Sequence, residues 1–398
     1  LNKNSYTVER FYSLDILRGI AALSVVFSHW KHFFYSGTIL ENFDKSKQPL
    51  FNWLYIFYTE GYLAVDLFFS LSGFIFYWLY SNRIAENHIT SIHFLILRFS
   101  RLYPLHFVTL LLVACSQILL MDTQGYYFVY PNNDSIHFLL NLFFASSWGL
   151  QNGNSFNGPI LSVSIEVLLY AIFFSCCRLL PVKMYVLVLL SIIGFIIKRY
   201  LSIPIGIGIT SFFMGGFMFF IYQKIITSYH ANKFTLFVFV LMILSWLATI
   251  IFIYSTDNIS FHSENSISLY SSSNNLFNTA KKFLMRFQIW PICILFPLTI
   301  LSLALIENFR GSLGKRFSFI GDISYSSYLI HFPLQLLIYI AATYLKFSTS
   351  VFYTSWFMIS YFILLLLICY GSYRYFEMPA QKFLREYLNT YKKSYIFS

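Results

Sequence analysis

A chain of 398 residues that is 58% hydrophobic and 11% charged, with a mean hydropathy of +0.64, is far more apolar than a soluble domain. Its net charge of +11 does not mark a nucleic-acid binder, because the Lys and Arg residues fall mainly in short loops and at the ends of apolar runs, where they set membrane topology. The five cysteines, Cys115, Cys176, Cys177, Cys293 and Cys369, lie in or beside apolar runs without ligand spacing, so neither a disulfide framework nor a metal site is expected.

Runs near the roughly 20 residues needed to cross a bilayer fall at 14–34, 61–80, 98–120, 161–180, 184–203, 205–222, 234–254, 286–305, 320–344 and 351–373. They predict an all-α fold, a polytopic membrane helix bundle of about ten transmembrane helices. The first run is long enough to remain as a signal anchor. The apolar piece from Ile136 to Ala145 is too short to span and reads as interfacial or re-entrant. The Ser/Asn-rich stretch STDNISFHSENSISLYSSSNNLFN reads as a flexible outer loop. An even number of crossings puts both termini on one side, and placing them in the cytoplasm leaves about half as many Lys and Arg residues outside as inside, although Lys198, Arg199, Lys281 and Lys282 run against the rule. Residues 1–380 are expected to form the membrane domain, and 381–398 a short cytoplasmic tail too small to fold alone.

Ionisable residues inside apolar runs are costly and functional by default. In the first run, SLDILRGIAALSVVFSHW, Arg18 and His29 are eleven positions apart, which returns to nearly the same helix face and separates them by about 16 Å. Asp15, three residues before Arg18, is placed to pair with it. In the second run Asp66 enters just below the outer surface, near the expected depth of His29. In the third, LRFSRLYPLHF sets Arg98 and Arg101 on one face, and in the fourth, PILSVSIEVLLYAIFF, Glu166 is expected at the depth of His29. A carboxylate that orients an imidazole suits general-base work on a hydroxyl, so His29, Asp66 and Glu166 form the catalytic candidates. Arg18, Arg98, Arg101 and Arg374 form a candidate anion site, since guanidinium groups hold phosphate in a planar, bidentate way. His331, two residues before Pro333 in the ninth run, and Glu377, near Arg374, are further candidates. Each has a structural alternative: a snorkelling arginine, a packed histidine, or polar glue between helices.

The ordered set LDILRGIAALSVVFSHW, VDLFFSLSGFIF, RFSRLYP, LSVSIEVLLY, ISYSSYLIHFPL and YFEMPAQ resembles the membrane acyltransferase-3 family, the O-acetyltransferase type that modifies bacterial surface polysaccharides. The resemblance covers nearly the whole chain. It implies a multi-pass protein of the bacterial cytoplasmic (inner) membrane, with an acyl-CoA donor, most often acetyl-CoA, on the cytoplasmic side. The acceptor would be a hydroxyl of a polysaccharide or undecaprenyl-linked oligosaccharide, as in O-antigen, capsule or exopolysaccharide, presented at the outer side. It implies roles for Arg18 and His29, supported by Arg98 and Arg101. Ile165 departs from the pattern, standing where many members have an acidic or polar residue, and no fused esterase-like domain is expected. The expected geometry is a passage bracketed by Arg18 and His29, with an acyl chain reaching from one to the other. The competing class is a transporter or flippase, with the same buried charges as proton or substrate sites; no inverted repeat supports it.

Overall fold

The structure, a computed structural model, describes residues 9–263 and 288–396, with the backbone path alone over 255–263 and 389–396. Helix α1 (Tyr12–Ser28) leads through a 3-10 turn (Trp30–Phe34) to a small hairpin of β1 (Tyr35–Ser36) and β2 (Ile39–Leu40), with Tyr35 opposite Leu40. There follow α2 (Phe51–Glu60), α3 (Ala64–Ala85), α4 (Ser91–Gln124), α5 (Ser135–Leu142), α6 (Ile160–Leu179), α7 (Met184–Ile196), α8 (Ile205–Ile226) and α9 (Ala231–Ser263). A π-turn over Pro291–Leu295 opens α10 (Phe296–Arg310), and α11 (Phe319–Asp322), α12 (Ser324–Tyr344), α13 (Ser355–Ser372) and α14 (Met378–Ile396) complete the chain.

Among the described residues, nine helical stretches are long and apolar enough to cross a bilayer. The 17-residue α1, about 25 Å long, is shorter than these and packs against α3 and α12. The bundle predicted from the apolar runs is therefore the fold. Three boundaries differ from expectation. Helix α1 stops at Ser28 because Trp30, Phe33 and Phe34 turn aside into an aromatic cluster with Phe352 and Tyr361, where Trp30 Nε1 donates to the Phe352 carbonyl at 3.1 Å. Helix α9 runs on to Ser263, so the first residues of the Ser/Asn-rich stretch are helical; the remainder of that expected loop lies outside the described residues. The tail is the helix α14, packed along α4 with Arg385 Nε donating to Ser100 Oγ at 3.2 Å.

Two devices fix the helices that carry the site. Helices α3 and α8 touch backbone to backbone: a Cβ at Gly73 would collide with the Phe212 carbonyl, and one at Gly215 with that of Ser70. Small residues at such a crossing give close van der Waals packing where lipid supplies no hydrophobic drive. The first turn of α1 has orphan N–H groups, and the fully buried Glu307 of α10 accepts from Tyr12 N and Ser13 N, each at 2.9 Å, and from Ser13 Oγ at 2.6 Å. A carboxylate there also complements the positive end of the helix dipole.

Candidate functional site: two chambers

At the end of the bundle where α1 begins, a cavity of about 220 Å³ is lined by Arg18 of α1, Arg98 and Arg101 of α4, Ser72 and Tyr80 of α3, Glu166 and Tyr170 of α6, and Tyr325 and Tyr328 of α12. Three guanidinium groups thus face one lining carboxylate. Arg18 is paired with Asp15, as the sequence spacing predicts, and Asp15 also accepts from Arg10 at 2.6 Å. Arg98 sits in an aromatic cage, its guanidinium carbon 4.8 Å from the ring centre of Phe76, 5.0 Å from Tyr80, and 5.9 Å from both Phe94 and Tyr170. Such faces attract a cation without neutralising it, and Arg98 is held in place by these rings and by a 2.5 Å bond to the Tyr80 hydroxyl. Glu166 accepts from the Tyr170 hydroxyl at 2.6 Å and from Ser72 Oγ at 3.1 Å. The chamber is a fixed, cationic pocket suited to an anion.

At the other end of α1 lies a second cavity, of about 540 Å³, lined by His29, Lys31, His32, Tyr35, Tyr58, Tyr62, Tyr130, Asn132 and Asn154 among others. His29 is the C-cap of α1, and its Nδ1 is 2.9 Å from His331 Nε2. The proton positions follow from the network. His331 Nδ1 is 3.2 Å from the Ser327 carbonyl, which only accepts, so that nitrogen carries a hydrogen. In a neutral His331 the Nε2 is then the acceptor, which makes His29 Nδ1 the donor. His29 Nε2 is left with a free lone pair on an imidazole that lines the cavity. Gln335, one turn beyond His331, locks the arrangement: its Nε2 donates to the His29 carbonyl at 3.1 Å, and its Oε1 accepts from His32 Nδ1 at 3.2 Å.

Of the predicted site residues, Arg18, Arg98, Arg101 and Glu166 come together, and His29 meets His331. Glu166 does not reach the depth of His29: α6 begins at Ile160, so Glu166 lies about 9 Å into the helix, whereas His29 stands at the very end of its own. Asp66 is buried in the first turn of α3, with Lys198 as its charged neighbour, and lines neither cavity. The imidazole's orienting partner is therefore a second histidine and not a carboxylate. Arg374 lies exposed in the π-turn Tyr373–Glu377, outside the arginine cavity, because α13 ends on the surface there. Glu377, on the same turn, faces inward and accepts from Ser326 Oγ at 2.5 Å and Ser372 Oγ at 2.8 Å. His32 and Gln335 were not singled out in the sequence, although each sits at helical spacing, i+3 and i+4, from a histidine that was. The expected single passage is two separate cavities, which share no lining residue among those described. Among the described residues no group of three His, Cys, Asp or Glu side chains is arranged to hold a metal.

A family model described as an acyltransferase domain matches residues 11–374. The chain belongs to the acyltransferase-3 family. The match runs from the residue before α1 to the π-turn after α13 and so includes both chambers of this acyltransferase domain. A protein of Rhizobium radiobacter described as "Protein 2 in picA locus" is 41% identical over 106 residues, which is 27% of this chain. The chain spans about 45% of that relative's length. No solved structure matches.

Proposed function

We propose that the protein is a membrane O-acyltransferase that moves an acyl group, acetyl in the simplest case, from acyl-CoA to a hydroxyl of a cell-surface or lipid-linked glycan. The observation that supports it most is the pairing of a cationic chamber with an imidazole whose Nε2 is free, at opposite ends of one helix. The arginine end faces the cytoplasm in this reading, in keeping with the positive-inside rule, and both termini lie on that side. The donor's phosphates dock against Arg18, Arg98 and Arg101, with Glu166 and Asp15 balancing the charge when the site is empty. The pantetheine-type chain then covers the roughly 16 Å to His29.

In the second chamber the acceptor hydroxyl gives its proton to His29 Nε2 as its oxygen attacks the thioester carbonyl carbon. The carbon–sulfur bond breaks, and the proton is passed to the departing thiolate, leaving an ester and free CoA. His331 fixes the tautomer that makes Nε2 the base and shares the positive charge of the imidazolium. The rim of Tyr35, Tyr58, Tyr62 and Tyr130 with Asn132 and Asn154 suits a sugar, offering ring faces and amides. Two measurements test this. CoA should raise the melting temperature of the purified protein, as a ligand of the folded state does, and a transporter for an unrelated substrate should not respond. Surface glycan from cells with and without the protein should differ in mass by one acyl group per modified residue, and identical glycans would reject the assignment.

A further inference from the structure

Two chain segments run from one chamber to the other. Residues 153–162 pass from Gly153 and Asn154 at the histidine cavity to Ser162 at the arginine cavity, and α12 passes from Ser324, Tyr325 and Tyr328 at the arginine cavity to His331 beside His29. Two hydrogen bonds join these segments across the gap. Ser162 Oγ donates to the Pro159 carbonyl at 3.1 Å, so the Tyr328 hydroxyl, 2.6 Å from Ser162 Oγ, donates to it. Pro333 has no N–H to give the Leu329 carbonyl four residues back, and Asn157 Nδ2 supplies the missing donor at 3.1 Å. Asn157 is fully buried, and its Oδ1 has no hydrogen-bond partner among the described residues. A buried amide oxygen without a donor is costly, and an N–H of a bound ligand would satisfy it. The partition is thin: the Tyr328 ring centre is 6.1 Å from that of His331 and 5.6 Å from that of Phe68, which also lines the arginine cavity.

We propose that this partition is itself a ligand site: the amide-bearing chain of the acyl donor displaces the Tyr328 ring from between the chambers, and an amide N–H of that chain bonds to Asn157 Oδ1. Without donor, Tyr328 closes the arginine chamber against the histidine chamber. With donor, the chain fills the gap, so the thioester reaches His29 without a water path opening behind it. The inference rests on the acyl-CoA reading above. Its signature is loss of containment: with the ring removed and not merely swung aside against the chain, the space around the chain stays open, water adds to the thioester carbonyl carbon, the carbon–sulfur bond breaks, and the proton goes to the thiolate, giving free carboxylic acid and free thiol.

The test uses the full-length protein in lipid nanodiscs. Tyr328→Ala should raise the ratio of acyl-CoA hydrolysis without acceptor to acyl transfer by roughly fivefold, because exclusion of water is what suppresses that side reaction. Tyr328→Phe, which keeps the ring and loses only the bond to Ser162, should raise it roughly twofold and covers the case in which Tyr328→Ala fails to fold. In parallel, CoA should stabilise the wild type more than adenosine bisphosphate, which carries the phosphates without the chain, and Asn157→Ala should erase that difference while keeping the response to the bisphosphate. An unchanged hydrolysis ratio in a Tyr328 variant of wild-type stability, or equal stabilisation by the two ligands in the wild type, overturns the proposal. No stabilisation by either ligand would instead reject the acyl-CoA reading on which it rests.

Discussion

The two chambers are built from the same helix bundle, yet they solve opposite electrostatic problems. The arginine chamber holds its guanidinium groups inside the protein, caging one of them in four aromatic rings and pairing another with a carboxylate. The histidine chamber has no carboxylate among its described lining residues and surrounds its imidazoles with a glutamine, a backbone carbonyl and each other. A site that must hold an anion benefits from fixed charge in a low-dielectric setting, whereas a site that must accept a proton needs a neutral nitrogen with a free lone pair. The separation lets one protein keep both conditions within about 16 Å.

The largest effect is expected from His29→Ala. Loss of a general base costs about 10²- to 10⁴-fold in rate, and the account expects that loss with stabilisation by CoA unchanged, because the arginine chamber is untouched. Next is Arg18→Ala, the reverse experiment. One charge-assisted bond is worth about 1.5–3 kcal/mol, so KM for acyl-CoA should rise roughly ten- to a hundredfold, with kcat affected less. His331→Leu removes the acceptor that sets the His29 tautomer and should lower kcat by roughly tenfold or more while KM for the donor stays put; steady-state kinetics separate the two patterns. At the bottom of the scale, Arg374→Ala should leave KM for acyl-CoA unchanged and shift stability by less than about 0.5 kcal/mol, as an exposed substitution does. A large rise in KM there would restore Arg374 to the anion site.

What the sequence made legible was whatever depends on spacing along one helix. The apolar runs yield the bundle, and the three-residue step from Asp15 to Arg18 and from Arg98 to Arg101 survives intact in the structure. What it hid depends on where helices end and cross. The apolar runs put Glu166 and His29 at one depth because each lies about five residues from the outer end of its run, but α1 ends at Ser28 under the pull of the Trp30, Phe33 and Phe34 cluster. The His29–His331 bond joins residues 302 positions apart, and the Glu307 cap on α1 spans 294. No local pattern announces such pairings. Arg374 was grouped with the other arginines by side of the membrane alone, and facing, which decides access to the cavity, is set by how α13 packs.

Sidedness of the donor decides whether anion binding and proton removal occupy opposite ends of the bundle. In sealed vesicles of known orientation holding the acceptor, labelled acyl-CoA supplied to the face that carries Arg18, Arg98 and Arg101 should give labelled glycan, and the same donor supplied only to the face that carries His29 should give none. Labelled glycan formed from donor on the His29 face alone would contradict the account.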